Sequence, residues 1–172
     1  EKEIIEEEFE YDLQAWMLHA LSTRFLVEEN KKPSRFEAKA FLNLMKNREQ
    51  FNVYTRALLA LSAKHFGFEE DARLLAENLR NGVKIDERPD QSILVADNNN
   101  NEPTVMKTAH WGEDGIYWRW SDGGVEATAF ALMALLAIDP NSDLIDLVTH
   151  WLVKNRRGSQ WSNTRDTAIV VL

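Results

Sequence analysis

The stretch Val125-Glu-Ala-Thr-Ala-Phe-Ala-Leu-Met-Ala-Leu-Leu136 is apolar on almost every side and rich in alanine. A helix that is apolar nearly all round is buried, and small side chains let neighbouring helices approach closely. Two upstream segments, centred on Ala20-Leu21 and Ala60-Leu61, carry the same pattern of alanine and leucine. These segments predict a buried inner layer of helices.

The inner segments recur with a constant spacing once one irregular segment is removed. The Ala-Leu pair stands at positions 20, 60 and 134, and Thr128-Ala129 returns as Thr167-Ala168 after 39 residues. Residues 83–124 lack helical periodicity and account for about 34 extra residues between the second and third copies. The remaining period of about 40 residues corresponds to two helices per repeat.

The helices between the inner segments are amphipathic, as expected of an outer layer. An inner ring of helices inside a one-sided outer ring is an α/α-toroid, and an open solenoid of helix hairpins such as a HEAT array fits the same period. The fold class is therefore all-α. We expect one domain over residues 1–172, with about three helix hairpins, the start of a fourth and an irregular insertion at 83–124.

Capping residues set the predicted helix boundaries. Ser34 with Glu37 forms a capping box, and Asn52 and Ser142 are further N-cap candidates, while Gly67 is a typical C-terminal glycine. Gly82 and Gly158 close two more helices in the same way. The predicted helices cover residues 9–27, 35–48, 52–65, 69–79, 125–138 and 143–155, with a last one from 163.

The insertion at 83–124 is long for a connection in a compact domain. We expect short strands near 106–111 and 115–120. An aromatic cluster accompanies it, formed by Trp111, Tyr117, Trp118, Trp120 and Trp161. These rings could form an interaction surface for a sugar or peptide, or they could pack the insertion onto the helix ends. The packing interpretation predicts that Trp118 or Trp120 is more than half buried.

Composition excludes several classes of function. The net charge of −8 argues against nucleic-acid binding and against contact with an anionic membrane. The absence of cysteine excludes disulfides, a thiol nucleophile and cysteine-bearing zinc sites. No apolar run reaches about 18 residues, and the N-terminus lacks a signal-peptide pattern. The chain begins with Glu1 and stops within an apolar run at Leu172, so we expect a piece of a longer protein.

The titratable residues predict no metal or cofactor site. His19, His65, His110 and His150 have no metal-ligand spacing and are expected to be packed or capping residues. The segment 97–101 is acidic and rich in asparagine, but it lacks the glycine and terminal glutamate of a calcium loop, so we expect a mobile loop.

Four charged residues stand where inner helices are expected to begin: Asp12, Glu126, Arg165 and Asp166. They could form a carboxylate cluster in the mouth of the toroid, suited to acid–base work or metal binding. They could equally be capping residues, because acidic side chains favour the first turn of a helix. The second interpretation requires nothing beyond the helix dipole.

Several stretches together resemble one known family. Residues 125–136 are similar to the "VEAT-aromatic-ALLALL" helix of α2-macroglobulin and complement thioester domains. Trp151-Leu-Val-Lys-Asn-Arg-Arg-Gly158 resembles that family's "WL-x-x-x-R" helix end, and residues 160–168 resemble its "G-aromatic-G-S-T-Q-x-T" turn. Residues 12–15 and 54–57 look like two more starts of inner helices. The later block looks most like bacterial members.

The resemblance implies an α/α-toroid within a multidomain endopeptidase inhibitor that traps proteases, in the periplasm or outside the cell. In that family, cleavage of a bait region exposes a thioester from a Cys-Gly-Glu-Gln motif. This chain has no cysteine and aligns with the later part of the domain, so no catalytic residue carries over and no enzymatic activity or cofactor is expected.

The implied partners are target proteases, bound through the full-length parent, and other domains of the same chain. A homodimer through exposed apolar helix faces is a further expectation. Two alternatives share the helical architecture, because fold does not settle function. One is a toroid enzyme, resembling a terpenoid cyclase or a polysaccharide lyase with a Tyr54 and His19 pair. The other is a helical-repeat scaffold.

Overall fold

The computed structural model describes residues 2–28, 31–87, 94–96, 103–105, 107–112 and 124–172. Within these ranges the chain is mainly helical, as predicted. Its α-helices are α1 (Lys2–Ser22), α2 (Arg35–Lys46), α3 (Val53–Phe66), α4 (Glu69–Asn81), α5 (Gly124–Ile138), α6 (Leu144–Lys154) and α7 (Thr164–Val171). Short 3-10 turns follow α1 and α2, at Thr23–Leu26 and Arg48–Gln50.

The helices alternate between an inner and an outer layer. Helix α3 packs against α1 on one side and α5 on the other, and α5 also packs against α7. Ten residues are buried in each of α3 and α5, on most sides of both helices. By contrast, α2, α4 and α6 each bury one face of four residues. The prediction of an all-α, toroid-like fold of paired helices is confirmed.

The predicted caps mostly lie where the sequence indicated. Ser34 accepts a hydrogen bond from the backbone of Glu37, whose carboxylate accepts one from the backbone of Ser34, so the capping box is present. Asn52 caps α3 through the Thr55 N–H. Gly67 ends α3 with φ of 76°, a left-handed conformation that favours glycine.

Several predicted boundaries differ from the structure, among them the end of the first helix, because a 3-10 turn replaces the α-helix after Ser22. Helix α1 begins at Lys2 rather than near residue 9, because the glutamate-rich start has high helix propensity. Helix α6 begins after Asp143, although the Ser142 hydroxyl still accepts from the Leu144 N–H at 3.4 Å. Gly158 does not close α6, which ends at Lys154. It lies instead in a hairpin turn with φ of 67°.

The insertion contains two antiparallel strand pairs among its described residues. Strand β1 (Lys84–Asp86) pairs with β4 (Thr108–His110), and β2 (Leu94–Ala96) pairs with β3 (Pro103–Val105). Strand β4 falls inside the strand predicted near 106–111. The strand predicted at 115–120 lies outside the described residues. Because β1 follows α4 and β4 packs on α6, the insertion starts and ends beside the helical layers.

No helix in the described part of the chain is both long enough and apolar enough to cross a membrane. The buried core consists mainly of leucine, alanine and aromatic side chains of the inner helices, completed by the inward faces of the outer ones. The polar residues buried among them identify the candidate site.

Candidate functional site

Asp12 of α1 is a buried carboxylate placed against the first turn of α3. Its side chain is 1% exposed. The Oδ1 atom accepts a hydrogen bond from Asn52 Nδ2 at 2.9 Å and another from the hydroxyl of Thr55. Its Oδ2 atom has no hydrogen-bond partner among the residues that the structure describes. The carboxylate therefore stabilises the N-terminus of a neighbouring helix, where the helix dipole favours negative charge.

A second buried carboxylate, Glu126, joins α5 to the start of α7. Its side chain is 2% exposed and accepts a hydrogen bond from Arg165 Nε at 2.9 Å, and Arg165 Nη2 completes an ion pair with it at 2.8 Å. Arg165 Nη2 also lies 3.4 Å from the hydroxyl of Tyr54 on α3. The guanidinium lies over the ring of Trp16 on α1, 5.8 Å from its centroid. Arg165 therefore joins four inner helices.

The two carboxylate contacts occupy equivalent positions in the first and third repeats. Asp12 and Asn52 are 40 residues apart, and Glu126 and Arg165 are 39 residues apart. These offsets equal the repeat period found in the sequence. Each pair therefore joins equivalent positions of two consecutive inner helices. The contacts thus align the starts of the inner helices.

Burial dominates the electrostatics of this polar layer. Burial raises the pKa of Glu126, against the hydrogen bond and positive charge of Arg165, which lower it. The pKa of Asp166 is also raised by burial, with opposing contributions from Ser162 and Arg165. Burial raises the pKa of the Tyr54 phenol, and the negative charge of Glu126 adds to this shift. The phenol therefore stays protonated at neutral pH.

The structure decides between the two interpretations of the charged set. Asp12, Glu126 and Asp166 are buried, so they do not form an open carboxylate cluster. Asp166 fits the capping interpretation, because its backbone N–H donates to Asn163 in the first turn of α7. The capping interpretation is wrong for Asp12, which lies well inside α1 and interacts with α3 instead.

Two tryptophans of the predicted aromatic surface are buried anchors. Trp111 is 0% exposed and its indole N–H donates to the carbonyl of Leu79 near the end of α4, at 2.8 Å. Trp161 is 9% exposed and donates in the same way to Leu152 near the end of α6, also at 2.8 Å. Both rings are buried within the described structure, and the interaction surface formed with Tyr117, Trp118 and Trp120 stays a prediction. Both pack against the helical layers.

The same tryptophans are fixed by the next inner helix. The backbone N–H of Trp111 donates to Thr128 Oγ1 of α5 at 3.0 Å, and that of Trp161 donates to Thr167 Oγ1 of α7 at 3.0 Å. Thr128 and Thr167 are the pair that the sequence aligned across repeats. Each tryptophan therefore ties the end of an outer helix to the start of the following inner helix. Tyr117, Trp118 and Trp120 lie outside the described residues, and their burial stays a prediction.

The histidines form no metal centre within the described ranges, where no three metal-binding side chains come together. His110 stacks on Trp151 with ring centroids 4.8 Å apart, joining β4 to α6. His19 and His65 stack on each other, which the sequence did not indicate. The segment 97–101 lies outside the described residues, so its assignment as a mobile loop stays a prediction.

A protein-family model described as the A-macroglobulin TED domain matches residues 4–171. The chain belongs to the A-macroglobulin TED domain family. The resemblance seen in the sequence is confirmed over almost the whole chain. No curated protein and no solved structure gives a significant match. The TED family is one of protease inhibitors, which are generally not enzymes.

In this TED domain the polar residues that sequence reasoning selected serve helix packing. The most informative signal was the repeat offset, which would have paired Asp12 with Asn52 and Glu126 with Arg165. The Tyr54 hydroxyl at Arg165 could not be found in this way, because the two residues are 111 positions apart. The buried network holds the inner helices of the TED domain in register.

We expect Asp12→Ala to destabilise the TED domain by about 2 kcal/mol, because the buried hydroxyl of Thr55 and amide of Asn52 lose a charged acceptor. Urea unfolding followed by circular dichroism measures the loss. Asp12→Asn, which keeps an acceptor oxygen, should lose less. Gln14→Ala, at an exposed site on the same helix, is the control. Equal stability of Asp12→Ala and Gln14→Ala would contradict this role.

Proposed function

We propose that this TED domain is a non-catalytic structural and interaction domain of an endopeptidase inhibitor that traps proteases. The family match over residues 4–171 carries the proposal. Members of this family are parts of larger protease-binding proteins. The target proteases and the other domains of the parent are therefore the proposed partners.

Two features support a non-catalytic role for these residues. The chain has no cysteine, so it cannot itself form the thioester that acylates a trapped protease in this family. The charged residues of the polar layer are also engaged with each other between inner helices. Their contribution is to hold the toroid together.

The enzyme alternative has less support. A polysaccharide lyase would need Tyr54 and His19 in an accessible cleft, but they are 0% and 8% exposed. Tyr54 packs edge-on against Phe130, and so does His19. Neither ring can reach a polymeric substrate while α1, α3 and α5 stay packed. A helical scaffold without trapping activity is the remaining alternative, and the experiment below separates it from a trap.

The test uses the full-length protein that contains this domain. It is incubated with a panel of endopeptidases, and residual activity is measured on a large protein substrate and on a small chromogenic peptide. A trap encloses the protease, so cleavage of the protein substrate should fall strongly while peptide cleavage persists. Methylamine incorporation reports whether another part of the parent carries a thioester. If every protease tested still cleaves the protein substrate at full rate, the trap is excluded and the helical scaffold is the remaining function.

We further propose that the parent is of the bacterial type and acts in the periplasm or outside the cell. Family members are extracellular or secreted. The proposal rests on the similarity of residues 151–168 to bacterial members. Fractionation of the source cells with an antibody against this domain tests it, and recovery in the cytoplasm would contradict it.

The isolated chain is also expected to form a homodimer through the apolar groove between α1 and α2. This groove has a volume of about 390 Å³ and is lined by Met17, Leu21 and Phe36 among others. These three side chains are 57%, 44% and 74% exposed. Sedimentation of the 172-residue chain should show concentration-dependent dimers, because burying such a patch removes apolar surface from water.

Phe36→Ser is expected to weaken this dimer at least about tenfold, because exposed aromatic side chains in a groove are typical interface anchors. Val153→Ser is the matched control, since Val153 is 61% exposed but lies on α6. A clean monomer of the unaltered chain at high concentration would contradict the dimer. Equal effects of the two substitutions on dimerisation would show that the dimer interface is not at the groove.

A further inference from the structure

Two histidines stack on each other where three inner helices meet. The ring centroids of His19 on α1 and His65 on α3 are 5.7 Å apart, with an angle of 27° between the ring planes. Phe130 of α5 stands edge-on to His19, with centroids 6.0 Å apart. His19 is only 8% exposed. The pair is therefore part of the contact between α1 and the rest of the inner layer.

Hydrogen bonds determine which tautomer the neutral His65 ring adopts. The Ser22 hydroxyl donates its hydrogen to the backbone carbonyl of His19, with Oγ and O 2.7 Å apart. Ser22 Oγ also lies 2.9 Å from His65 Nδ1, and the hydroxyl has no second hydrogen to give. His65 Nδ1–H must therefore be the donor in this contact. The neutral imidazole then carries its lone pair on Nε2.

His19 has a buried nitrogen that no described residue contacts by a hydrogen bond. This atom is Nδ1 of the imidazole. A protonated imidazole has two N–H donors, so the charged form would leave at least this donor unpaired in the interior. A buried donor without an acceptor is costly, and more so when it carries charge. The neutral ring therefore suits this packing and the charged ring does not.

Aromatic and hydroxyl groups surround the pair. Helix α1 contributes Trp16 and Ser22, and α5 contributes Phe130, as ring and hydrogen-bond contacts. Burial, with a smaller contribution from the positive charge of His65, lowers the pKa of His19 to about 4. Burial also lowers the pKa of His65.

The charged residues of the neighbouring elements are engaged elsewhere. Arg24, in the turn after α1, pairs with Glu37 of α2 at 2.8 Å. Lys64, next to His65 on α3, pairs with Glu69 of α4 at 3.1 Å. Within the described part of the chain, no carboxylate contributes to the pKa of either histidine. Nothing there compensates a proton added to the pair.

We propose that the His19–His65 pair is an acid-sensitive contact whose protonation releases α1 from α3 and α5. A His19 that leaves this site regains a pKa near 6.5. The released form therefore binds the proton more readily than the packed form. Packing of α1 is fully favoured above about pH 6.5 and is weakened progressively as the pH falls towards about 4.

The size of the change in α1 packing follows from the shift in the pKa of His19. Each pKa unit changes the ratio of released to packed molecules about tenfold. A pKa lowered from 6.5 to about 4 therefore raises the released fraction about 300-fold across this pH window for His19 alone. Below about pH 4 both forms carry the proton and no further change is expected from this group.

Hydrogen exchange on the 172-residue chain tests the proposal. After correction for intrinsic exchange rates, amides of α1 from residue 11 to 22 should lose protection between about pH 7 and pH 5, before those of α6 do. In His19→Phe, which keeps an aromatic ring but cannot be protonated, this loss should shrink to the smaller contribution of His65. In the control His150→Gln, on α6, the loss should persist.

A second variant and a direct titration keep the test decisive. His65→Gln preserves a donor for Ser22 and removes the second imidazole, so it should shift the loss of protection to lower pH even if His19→Phe fails to fold. Imidazole resonances of the unaltered chain should show His19 titrating well below 6.5. An ordinary titration of His19, or an unchanged loss of protection in His65→Gln, would overturn the proposal.

Discussion

Trp111→Ala is expected to destabilise this TED domain by about 4 kcal/mol, close to the largest loss that a single core substitution causes. The ring of Trp111 is fully buried, and its indole N–H is the donor to the Leu79 carbonyl. The substitution leaves a cavity and removes this hydrogen bond. Urea unfolding followed by far-ultraviolet circular dichroism measures the loss without depending on tryptophan fluorescence.

A second substitution at the same position separates packing from hydrogen bonding. Trp111→Phe keeps most of the apolar ring but has no donor for Leu79, so about half of the loss should remain. Trp161→Ala is the matched control in the next repeat, because Trp161 makes the equivalent indole contact with Leu152. A stability of Trp111→Ala within about 1 kcal/mol of the unaltered domain would show that the insertion is not anchored there.

Arg165→Met is expected to cost about 3 kcal/mol at neutral pH. It leaves the Glu126 side chain, which is 2% exposed, without its opposite charge, and an unpaired buried charge is strongly destabilising. The value is at the lower end of the usual range because the Arg165 side chain is 39% exposed. Unfolding free energies at several pH values measure the loss.

The stability cost of Arg165→Met should depend on pH in one direction. Burial already raises the pKa of Glu126, and without the guanidinium it should rise further. A raised carboxyl pKa means that the folded state binds the proton more tightly than the unfolded state. The cost of Arg165→Met should therefore shrink as the pH falls and Glu126 becomes protonated.

Two further variants isolate the charge. Adding Glu126→Gln to Arg165→Met removes the unpaired carboxylate, so the double variant should regain part of the lost stability. Arg157→Met, at an exposed arginine in the turn before α7, should change stability by less than about 0.5 kcal/mol. A double variant as unstable as the sum of the two single substitutions would show that the ion pair is not the cause.

Local signals in the sequence predicted the helical architecture well. The capping box at Ser34 and the cap at Asn52 lie where expected, because N-caps depend on side chains within three residues. The alanine-rich stretch of α5 is buried on most sides, as its composition indicated. The repeat period placed inner and outer helices in the correct order.

Contacts between repeats were less accessible from the sequence. Asp12 was expected at a helix start because its partner on α3 is not visible in local patterns. The stacking of His19 on His65 depends on how closely α1 and α3 approach, which composition alone does not determine. The aromatic residues of the insertion showed the same ambiguity, and only the position of Trp111 between α4 and α5 assigns it to the core.

The pairing of β1 with β4 has a practical consequence. Lys84 lies opposite His110, so the polypeptide departs from the helical body and comes back to it at adjacent points. The segment between Asp86 and Thr108 is thus attached to the helical body through this single strand pair, which we call the neck. A foreign epitope or reporter grafted beyond this neck would hang from the toroid without separating the helices on either side of it.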